Sequence, residues 1–330
     1  MMRMNRPLSG SLLATFILCC TSCAGNGAAT PSVSANTEAG VGHAKQIARA
    51  VSSSRGLYVF GSTAVNVYPA NDPTNIGPTC YVPLVQGQPF GQDLSIDQRG
   101  HLWVPYGGVI TEYGRRCGPS GDVTVIKTLT DRYAGSGGPT TVAFAPDGTV
   151  YVDNETGFGG DGNVAVYHSG ATSPYDLLYP PHPISQVANI AVDANGNLYM
   201  MWSLYPGGIS VTAAGKRKAA MLNLTGVSSP VGMAFDNAQN MLVLDIGGPD
   251  IAIYAPPYSG SPTATIPLKA NHFEYFALDR ANKNLYVAAW DTAAVQVYGY
   301  PSGTYEYSVS AGLSPNSQWL GVAVDPAAGN

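Results

Sequence analysis

The sequence predicts an all-β fold, a six-bladed β-propeller of four-stranded blades, and three observations support this prediction. A strand–turn–strand pattern recurs with a period of about 45 residues. Most copies are followed by two further strand-like segments, which makes four strands per period, as in a propeller blade. The first and last copies are each incomplete, and together they make one full unit, which predicts a closed ring.

The repeated pattern is clearest at residues 190–200, IAVDANGNLYM, where a turn separates two apolar segments. Such turns carry Pro, Asn and Gly, the residues that tight hairpins favour. The strands are almost continuously apolar, which suits sheets that pack against neighbouring blades on both faces. The second strands of the six copies begin at Leu57, Leu102, Val150, Leu198, Leu242 and Leu285.

The incomplete copies lie at the two ends of the repeat region. Leu57 has no first strand before it, whereas residues 320–325, LGVAVD, form a first strand with no second strand after it. We expect this C-terminal strand to pair in the N-terminal blade, which leaves no open sheet edge between the first and last blades. The propeller is therefore predicted to span residues 55–330 as one domain.

The N-terminus has the pattern of an export signal. Arg3 and Arg6 precede the apolar residues 12–18, a segment too short to span a bilayer. Residues 20–25, CTSCAG, resemble the lipobox of bacterial lipoproteins, in which small residues precede an acylated cysteine. Cys23 matches that cysteine, although Cys20 stands where the family usually has Leu. The alternative is an ordinary signal peptide and a soluble secreted protein.

The lipobox resemblance implies a signal peptide at residues 1–22 and an acyl chain such as palmitate on Cys23. It places the protein in the bacterial cell envelope, attached to a membrane on the extracytoplasmic side, either in the periplasm or on the outer surface. Residues 23–54 contain few large apolar side chains and are interpreted as a flexible tether.

The composition limits the classes of partner. Only 11% of the 330 residues are charged, and the formal net charge of −5 becomes −7 when residues 1–22, with two arginines and no acids, are removed. The chain lacks the basic surface with which a nucleic-acid-binding protein neutralises phosphates, so no nucleic acid partner is expected. The one basic run, KRK at residues 216–218, is interpreted as a solvated turn.

The repeat motif P-x-G-[IVM]-A-[FV]-D followed by G-x-L-Y-V is cleanest at residues 230–236, PVGMAFD. It resembles the NHL-repeat and SMP-30-like six-bladed propellers over the whole of residues 55–330. This resemblance implies the fold and leaves the function open, because such propellers serve as lactonases, lyases, receptors and scaffolds.

The resemblance allows one test of enzymatic function. SMP-30-like lactonases hold a divalent cation at the channel mouth, and two of its ligands come from the position five residues before the turn aspartate. Three side chains in that column carry no oxygen, so the lactonase ligand set is not reproduced. The column contains Gln92, Thr140, Ala188, Val231, Glu274 and Leu320.

Loops after the second strands and before the first strands should meet on one face around the channel, the default place for a ligand. The acids expected there could bind Ca²⁺ if they converge, and the alternative is that they are solvated or cap backbone N–H groups. No other cofactor and no catalytic residue is expected, since no G-x-S-x-G motif is present. These acids are Asp153, Glu155, Asp245, Glu274 and Asp291.

Aromatic and cysteine residues complete the candidate sites. Tyr106, Trp202 and Trp290 are candidate contacts for a sugar or peptide, with core packing as the alternative. Cys80 and Cys117 fall in neighbouring blades and form a candidate disulfide, with two free thiols as the alternative. The sequence thus favours a non-enzymatic cell-envelope lipoprotein that binds or scaffolds a protein or glycan. The alternative is a hydrolase or lyase of the SMP-30-like lactonase type with a divalent cation.

Overall fold

The structure is a computed structural model that describes residues 56–61, 64–69, 77–84, 93–117, 123–130, 138–155, 162–181, 187–202, 207–314 and 320–325. These residues form 24 strands in six four-stranded antiparallel sheets. Among the residues described, no helix is long and apolar enough to cross a membrane. The boundaries predicted at 22/23 and 54/55, with the signal peptide, Cys23 and the tether, lie outside this part of the chain.

The strands follow one another in chain order, blade by blade. Blade 1 contains β1 (Gly56–Phe60), β2 (Ala64–Pro69) and β3 (Cys80–Pro83), and blade 2 contains β4 (Ser95–Ile96), β5 (Leu102–Tyr106), β6 (Val109–Cys117) and β7 (Val123–Thr130). Blade 3 contains β8 (Pro139–Phe144), β9 (Val150–Asn154), β10 (Asn163–Tyr167) and β11 (Asp176–Leu178). Blade 4 contains β12 (Asn189–Val192), β13 (Leu198–Trp202), β14 (Gly208–Thr212) and β15 (Ala220–Met221). Blade 5 contains β16 (Pro230–Phe235), β17 (Met241–Asp245), β18 (Asp250–Tyr254) and β19 (Ala264–Pro267). Blade 6 contains β20 (Phe273–Leu278), β21 (Asn284–Ala289), β22 (Ala294–Gly299) and β23 (Thr304–Val309), and β24 (Val322–Val324) returns to blade 1.

The C-terminal strand closes the ring, as predicted. Strand β24 pairs antiparallel with β1, and Tyr58 lies opposite Ala323. Backbone hydrogen bonds extend the pairing at both ends, from the Phe60 N–H to the Gly321 carbonyl and from Asp325 to Gly56. The predicted six-bladed, four-stranded propeller is confirmed, and blade 1 is complete only because both ends of the repeat region contribute to it.

The antiparallel order of each blade gives the disk two different faces. Connections from first to second and from third to fourth strands lie on one side, here called the hairpin face. Connections from second to third strands and from blade to blade lie on the other, here called the loop face. The first strands surround a central channel of about 740 Å³, which runs from Leu94 and Thr141 at the loop face to Gln98 and Arg280 at the hairpin face.

The hydrophobic core is divided into six layers, one between each pair of neighbouring blades. The layer between blades 6 and 1, for example, joins Val59 to Val295 and Tyr286. Both faces of every middle strand are therefore covered, which explains why β5, β9, β13 and β17 are buried along their whole length. This is the physical reason for the near-continuous apolar runs in the sequence.

A buried aspartate organises the first hairpin in four of the blades. In blade 4, Asp193 Oδ1 accepts hydrogen bonds of 2.9 Å from the N–H groups of Asn195 and Asn197, and Gly196 between them has a φ of 80°. A carboxylate satisfies several turn N–H groups at once, and glycine adopts that φ without strain. The equivalent aspartates are Asp97, Asp236 and Asp279.

Candidate functional site

The acids predicted at the loop face have separate roles on three blades. Asp245, at the end of β17, accepts hydrogen bonds from the N–H groups of Ser228 at 2.9 Å, Ser229 at 2.6 Å and Gly247 at 3.2 Å. Asp245 is only 2% exposed, so its carboxylate faces the protein and not the solvent. Its hydrogen bonds fix two loops of blade 5. This is the capping role that was the alternative to metal binding.

The other predicted acids with described side chains do not form a common site with Asp245. Asp291 in blade 6 is exposed and accepts a hydrogen bond of 3.1 Å from the Asn271 N–H. Glu155 in blade 3 is half-buried, and burial raises the pKa of its carboxyl group. The side chain of Glu274 lies outside the described part of the structure. Within that part, no metal-sized cluster of three His, Cys, Asp or Glu side chains forms at the loop face.

Asp153 belongs to a polar group at the loop-face end of the channel, here called the channel-end cluster and consisting of the buried residues Thr140, Asp153 and Asn189 and the half-buried Asp93. The Thr140 hydroxyl donates a hydrogen bond of 2.8 Å to Asp153 Oδ2, and the Asp93 N–H donates one of 3.0 Å to the Thr140 carbonyl. Asn189 Nδ2 lies 3.4 Å from the hydroxyl of Thr141. Blades 2, 3 and 4 each contribute to this cluster.

The channel-end cluster is electrostatically unusual because Asp153 is fully buried and Asp93 is half-buried. Burial raises the pKa of Asp93 to about 8, although hydrogen bonds from the Leu94 and Val322 N–H groups and from Asn189 partly offset it. Burial also raises the pKa of Asp153 well above its ordinary value, and nearby Glu155 adds to the effect. Two buried oxygens, Asp153 Oδ1 and Asn189 Oδ1, have no hydrogen-bond partner among the described residues. Unsatisfied buried oxygens of this kind indicate a place for water or a ligand.

A second charged group, which sequence analysis missed, is built on blade 2 near the hairpin face. Glu112 is 1% exposed and contacts Arg99 at 2.9 Å, His101 at 2.7 Å and Lys127 at 3.4 Å. Arg99 also contacts Asp97 at 3.0 Å. The two cations already neutralise the two carboxylates, so this group fits an internal ion-pair network better than an open metal site. A glutamate among the β-branched and aromatic residues of the first half of strand β6, VITEY, is the signal that could have revealed it.

The candidate aromatic contacts are mostly part of the core. Tyr106 is 9% and Trp202 is 3% exposed, which is the core packing given as the alternative for both. They are buried because the second strands, which they end, pack against neighbouring blades on both faces. Trp290 is half-buried, and its ring lies 4.8 Å from that of exposed His272 on the loop face.

The structure describes the side chain of only one of the two cysteines in the predicted disulfide. Cys80 is buried in β3 and disulfide-bonded. Cys117 ends β6 in the neighbouring blade, and its side chain lies outside the described part. The Cys80–Cys117 pairing stays a prediction.

Comparison with known proteins supports the propeller fold and does not identify a function. No family model and no curated protein matches the sequence. A chain in a nidogen/laminin complex structure is 16% identical, with a TM-score of 0.59 over 82% of this chain and 98% of that one. Virginiamycin B lyase from Staphylococcus aureus is 13% identical, with a TM-score of 0.53 over 80% of this chain and 87% of the lyase. A streptogramin B lyase is 14% identical, with a TM-score of 0.54 over 80% and 86%. At these identities the likeness shows the fold alone, and the neighbours include both binding proteins and enzymes.

Proposed function

We propose that this protein is a non-enzymatic binding module of the bacterial cell envelope, whose propeller binds a protein or a glycan. The observation that carries this proposal is the uneven distribution of exposed hydrophobic side chains around the disk. Large exposed apolar surfaces on soluble proteins often mark interaction sites. The loop-face acids, by contrast, offer no assembled catalytic group among the side chains that the structure describes.

Among the described residues, one exposed large hydrophobic side chain, Ile246 at 41%, lies in the β17–β18 loop of blade 5. The other six lie on or beside the outer strands of four consecutive blades, a surface here called the apolar rim. Their exposed fractions lie between 45% and 54%. Among the described residues, the outer strands β19 and β23 of blades 5 and 6 contribute no side chain of this class. The apolar rim consists of Tyr81 in β3, Val125 and Ile126 in β7, Tyr175 and Tyr179 beside β11, and Met221 in β15.

The chemistry of the rim suits a protein or a sugar. Exposed tyrosine rings can stack on sugar or peptide groups, and Tyr175 already stacks in parallel on His168 at 3.7 Å. A propeller of this fold takes part in a nidogen/laminin complex, which is a fold-level analogy for protein binding.

Site-specific photo-crosslinking tests the proposal. A photoreactive residue at Tyr175, in cells that express the full chain, should give a discrete adduct whose mass identifies a protein or a glycan. The same residue at Thr265, an exposed position on the outer strand of blade 5, is the matched control and should give none. Equal crosslinking at both positions would contradict a rim-specific partner.

Attachment to the envelope is proposed through an acyl chain on Cys23, which would hold the disk at a membrane. An alkyne analogue of palmitate should label the wild-type chain and fail to label C23S. Labelling of C23S, or a wild-type chain that appears unlabelled in the medium, would favour an ordinary secreted protein.

The second candidate, a hydrolase or lyase with a divalent cation, is favoured by the channel-end cluster. The SMP-30-like ligand set does not fit, because Ala188, Val231 and Leu320 present no oxygen ligands. The free buried oxygens of Asp153 and Asn189 are nevertheless the kind of group that Ca²⁺ binds. A rise in the melting temperature with Ca²⁺ or Mg²⁺ that D153N abolishes would support this candidate, and no rise would remove it.

A further inference from the structure

The wall of the central channel is made of strand edges as well as side chains. The first strand is the inner edge of every sheet, so a row of its backbone N–H and C=O groups is not paired with another strand. In blade 3 one of these groups, the Val142 carbonyl, accepts a hydrogen bond of 2.5 Å from the Ser95 hydroxyl of blade 2. The other five blades have alanine at the Ser95 position, which offers no such donor. These alanines are Ala143, Ala191, Ala234, Ala277 and Ala323.

The hydrogen bonds of the hairpin turns show which backbone groups face the channel. In blade 4 the Asp193 N–H donates to the Asn197 carbonyl, within its own hairpin. Because backbone groups alternate in direction along an antiparallel strand, those of Ile190 and Val192 face the channel. Each first strand therefore presents N–H and C=O groups at every second residue, about 6.6 Å apart. An extended peptide repeats its own groups at the same spacing and can pair with such an edge.

The channel has the dimensions of one extended chain. Blade 2 lines it from Leu94 to Gln98, which at about 3.3 Å per residue is a length of roughly 17 Å. Divided by this length, the volume of about 740 Å³ gives a mean cross-section of roughly 44 Å². Strands lie about 4.8 Å apart in sheets that stack about 10 Å apart, so one strand occupies about 48 Å². One extended peptide therefore fills the channel, and a second does not fit beside it.

The loop-face end of the channel holds acceptors that no described cation neutralises. None of the ion pairs among the described residues includes Asp93 or Asp153. The buried Oδ1 atoms of Asp153 and Asn189 accept no hydrogen bond within the described part of the chain. Asp93 accepts hydrogen bonds from the N–H groups of Leu94 and Val322, two residues that line the channel. Such a group of oxygens favours a ligand with positive charge and several N–H donors, and a primary ammonium group has three.

We propose that the channel binds the first five or six residues of an extended peptide, with the peptide's N-terminal ammonium group at the channel-end cluster. The peptide enters from the hairpin face, where the exposed residues Gln98, Asn237 and Arg280 surround the opening. Its backbone pairs with the edges of the first strands, and its ammonium group donates to the oxygens of the cluster. The channel is separate from the apolar rim, so this inference does not depend on what the rim binds.

Two other elongated ligands fit these observations less well. An acyl chain would leave the N–H and C=O groups of the strand edges without hydrogen bonds, which is costly away from water. A neutral glycan chain has hydroxyl groups for the edges but brings no positive charge to Asp93 and Asp153. The N-terminus of a peptide meets both requirements.

Affinity selection with synthetic peptides tests the inference on the immobilised full chain. The probes are two libraries of random hexapeptide amides, one with free N-termini and one with acetylated N-termini. EDTA in the buffer keeps divalent cations away from the channel-end cluster. We expect the free peptides to be retained, and the best of them to bind roughly 10- to 100-fold more weakly once it is acetylated.

Variants locate the bound peptide. Asp93→Asn should weaken binding of the free peptide about tenfold and leave that of the acetylated peptide unchanged. The double variant Gln98→Trp and Arg280→Trp narrows the opening with exposed side chains and should abolish binding. Ala214→Trp, at an exposed position in the β14–β15 connection on the same face, is the matched control and should bind as the parent chain does. Circular dichroism and melting temperature show whether each variant folds.

Several results would overturn the inference. Retention of neither library would show that the channel is not a peptide site, and equal retention of both would show that the ammonium group is not recognised. Unchanged binding by the double tryptophan variant, or an equal loss in Ala214→Trp, would place the peptide outside the channel.

Discussion

The hydroxyl of Tyr68 donates a hydrogen bond of 2.8 Å to the backbone carbonyl of Ala311, which joins the first blade to the last. The same arrangement recurs around the ring. Tyr254 of blade 5 donates to the Thr225 carbonyl at 2.8 Å, and the hydroxyl of Tyr298 in blade 6 accepts from the Lys269 N–H at 2.8 Å. Each tyrosine ends or nearly ends a third strand and bonds to the segment that enters its own blade.

Replacing Tyr68 with phenylalanine should lower the free energy of unfolding by about 1 kcal/mol, because the buried ring stays in place while the hydrogen bond to Ala311 is lost. Burial raises the pKa of Tyr68 to about 12, so the hydroxyl remains a donor at every pH of practical interest. Urea unfolding measures the change. Tyr81→Phe, which alters an exposed ring on the neighbouring strand, is the control, and an equal loss there would contradict a stabilising role of the Tyr68–Ala311 hydrogen bond.

Asp245→Ala should destabilise the protein by about 2 kcal/mol, since three N–H groups lose a charged acceptor. Asp291→Ala removes an exposed carboxylate from the same face and should change stability by less than about 0.5 kcal/mol. Thermal and urea unfolding compare the two variants. A loss from the Asp291 variant as large as that from the Asp245 variant would mean that the loop-face acids share one site after all.

Glu112→Gln should cost about 2 kcal/mol of stability, because Lys127 would keep its charge without the buried carboxylate beside it, while Arg99, whose side chain is 64% exposed, stays solvated and paired with Asp97. The matched control is Glu306→Gln, where the side chain is exposed on β23 and little change is expected. A neutral effect of Glu112→Gln in urea unfolding would show that the ion-pair network contributes no net stability.

Asp93 should make the protein less stable as the pH rises. Its pKa is about 8 in the folded protein and about 3.9 in the unfolded chain, so between these values the folded state binds more protons than the unfolded state. The free energy of unfolding therefore falls across that window and levels off above it. Asp93→Asn should remove this contribution, so that the variant gains stability relative to wild type between pH 5 and pH 9.

Urea unfolding of wild type and Asp93→Asn at both pH values measures this difference. Asp147→Asn, which changes an exposed turn acid, controls for the loss of one negative charge. A constant difference between Asp93→Asn and wild type at both pH values would show that Asp93 is ionised in the folded protein like an ordinary aspartate.

The sequence by itself determined the architecture. The period, the turn chemistry and the split copy are local features, and each strand has to be apolar along its length because a neighbouring blade covers each face. Closure of the ring through β24 followed from residues 320–325 lacking a partner strand in their own part of the chain.

Only the tertiary structure decided which polar residues act together. Asp153, Asp93 and Asn189 come from three blades, and Glu112 meets Arg99 and Lys127 through strand pairing. Tyr106 and Trp202 are the last residues of second strands, where sequence position does not distinguish a core residue from one at the start of an exposed loop, and the structure buries both. Spacing along the chain reports local backbone geometry, whereas burial and pKa shifts depend on residues that are distant in sequence and meet only in the closed ring.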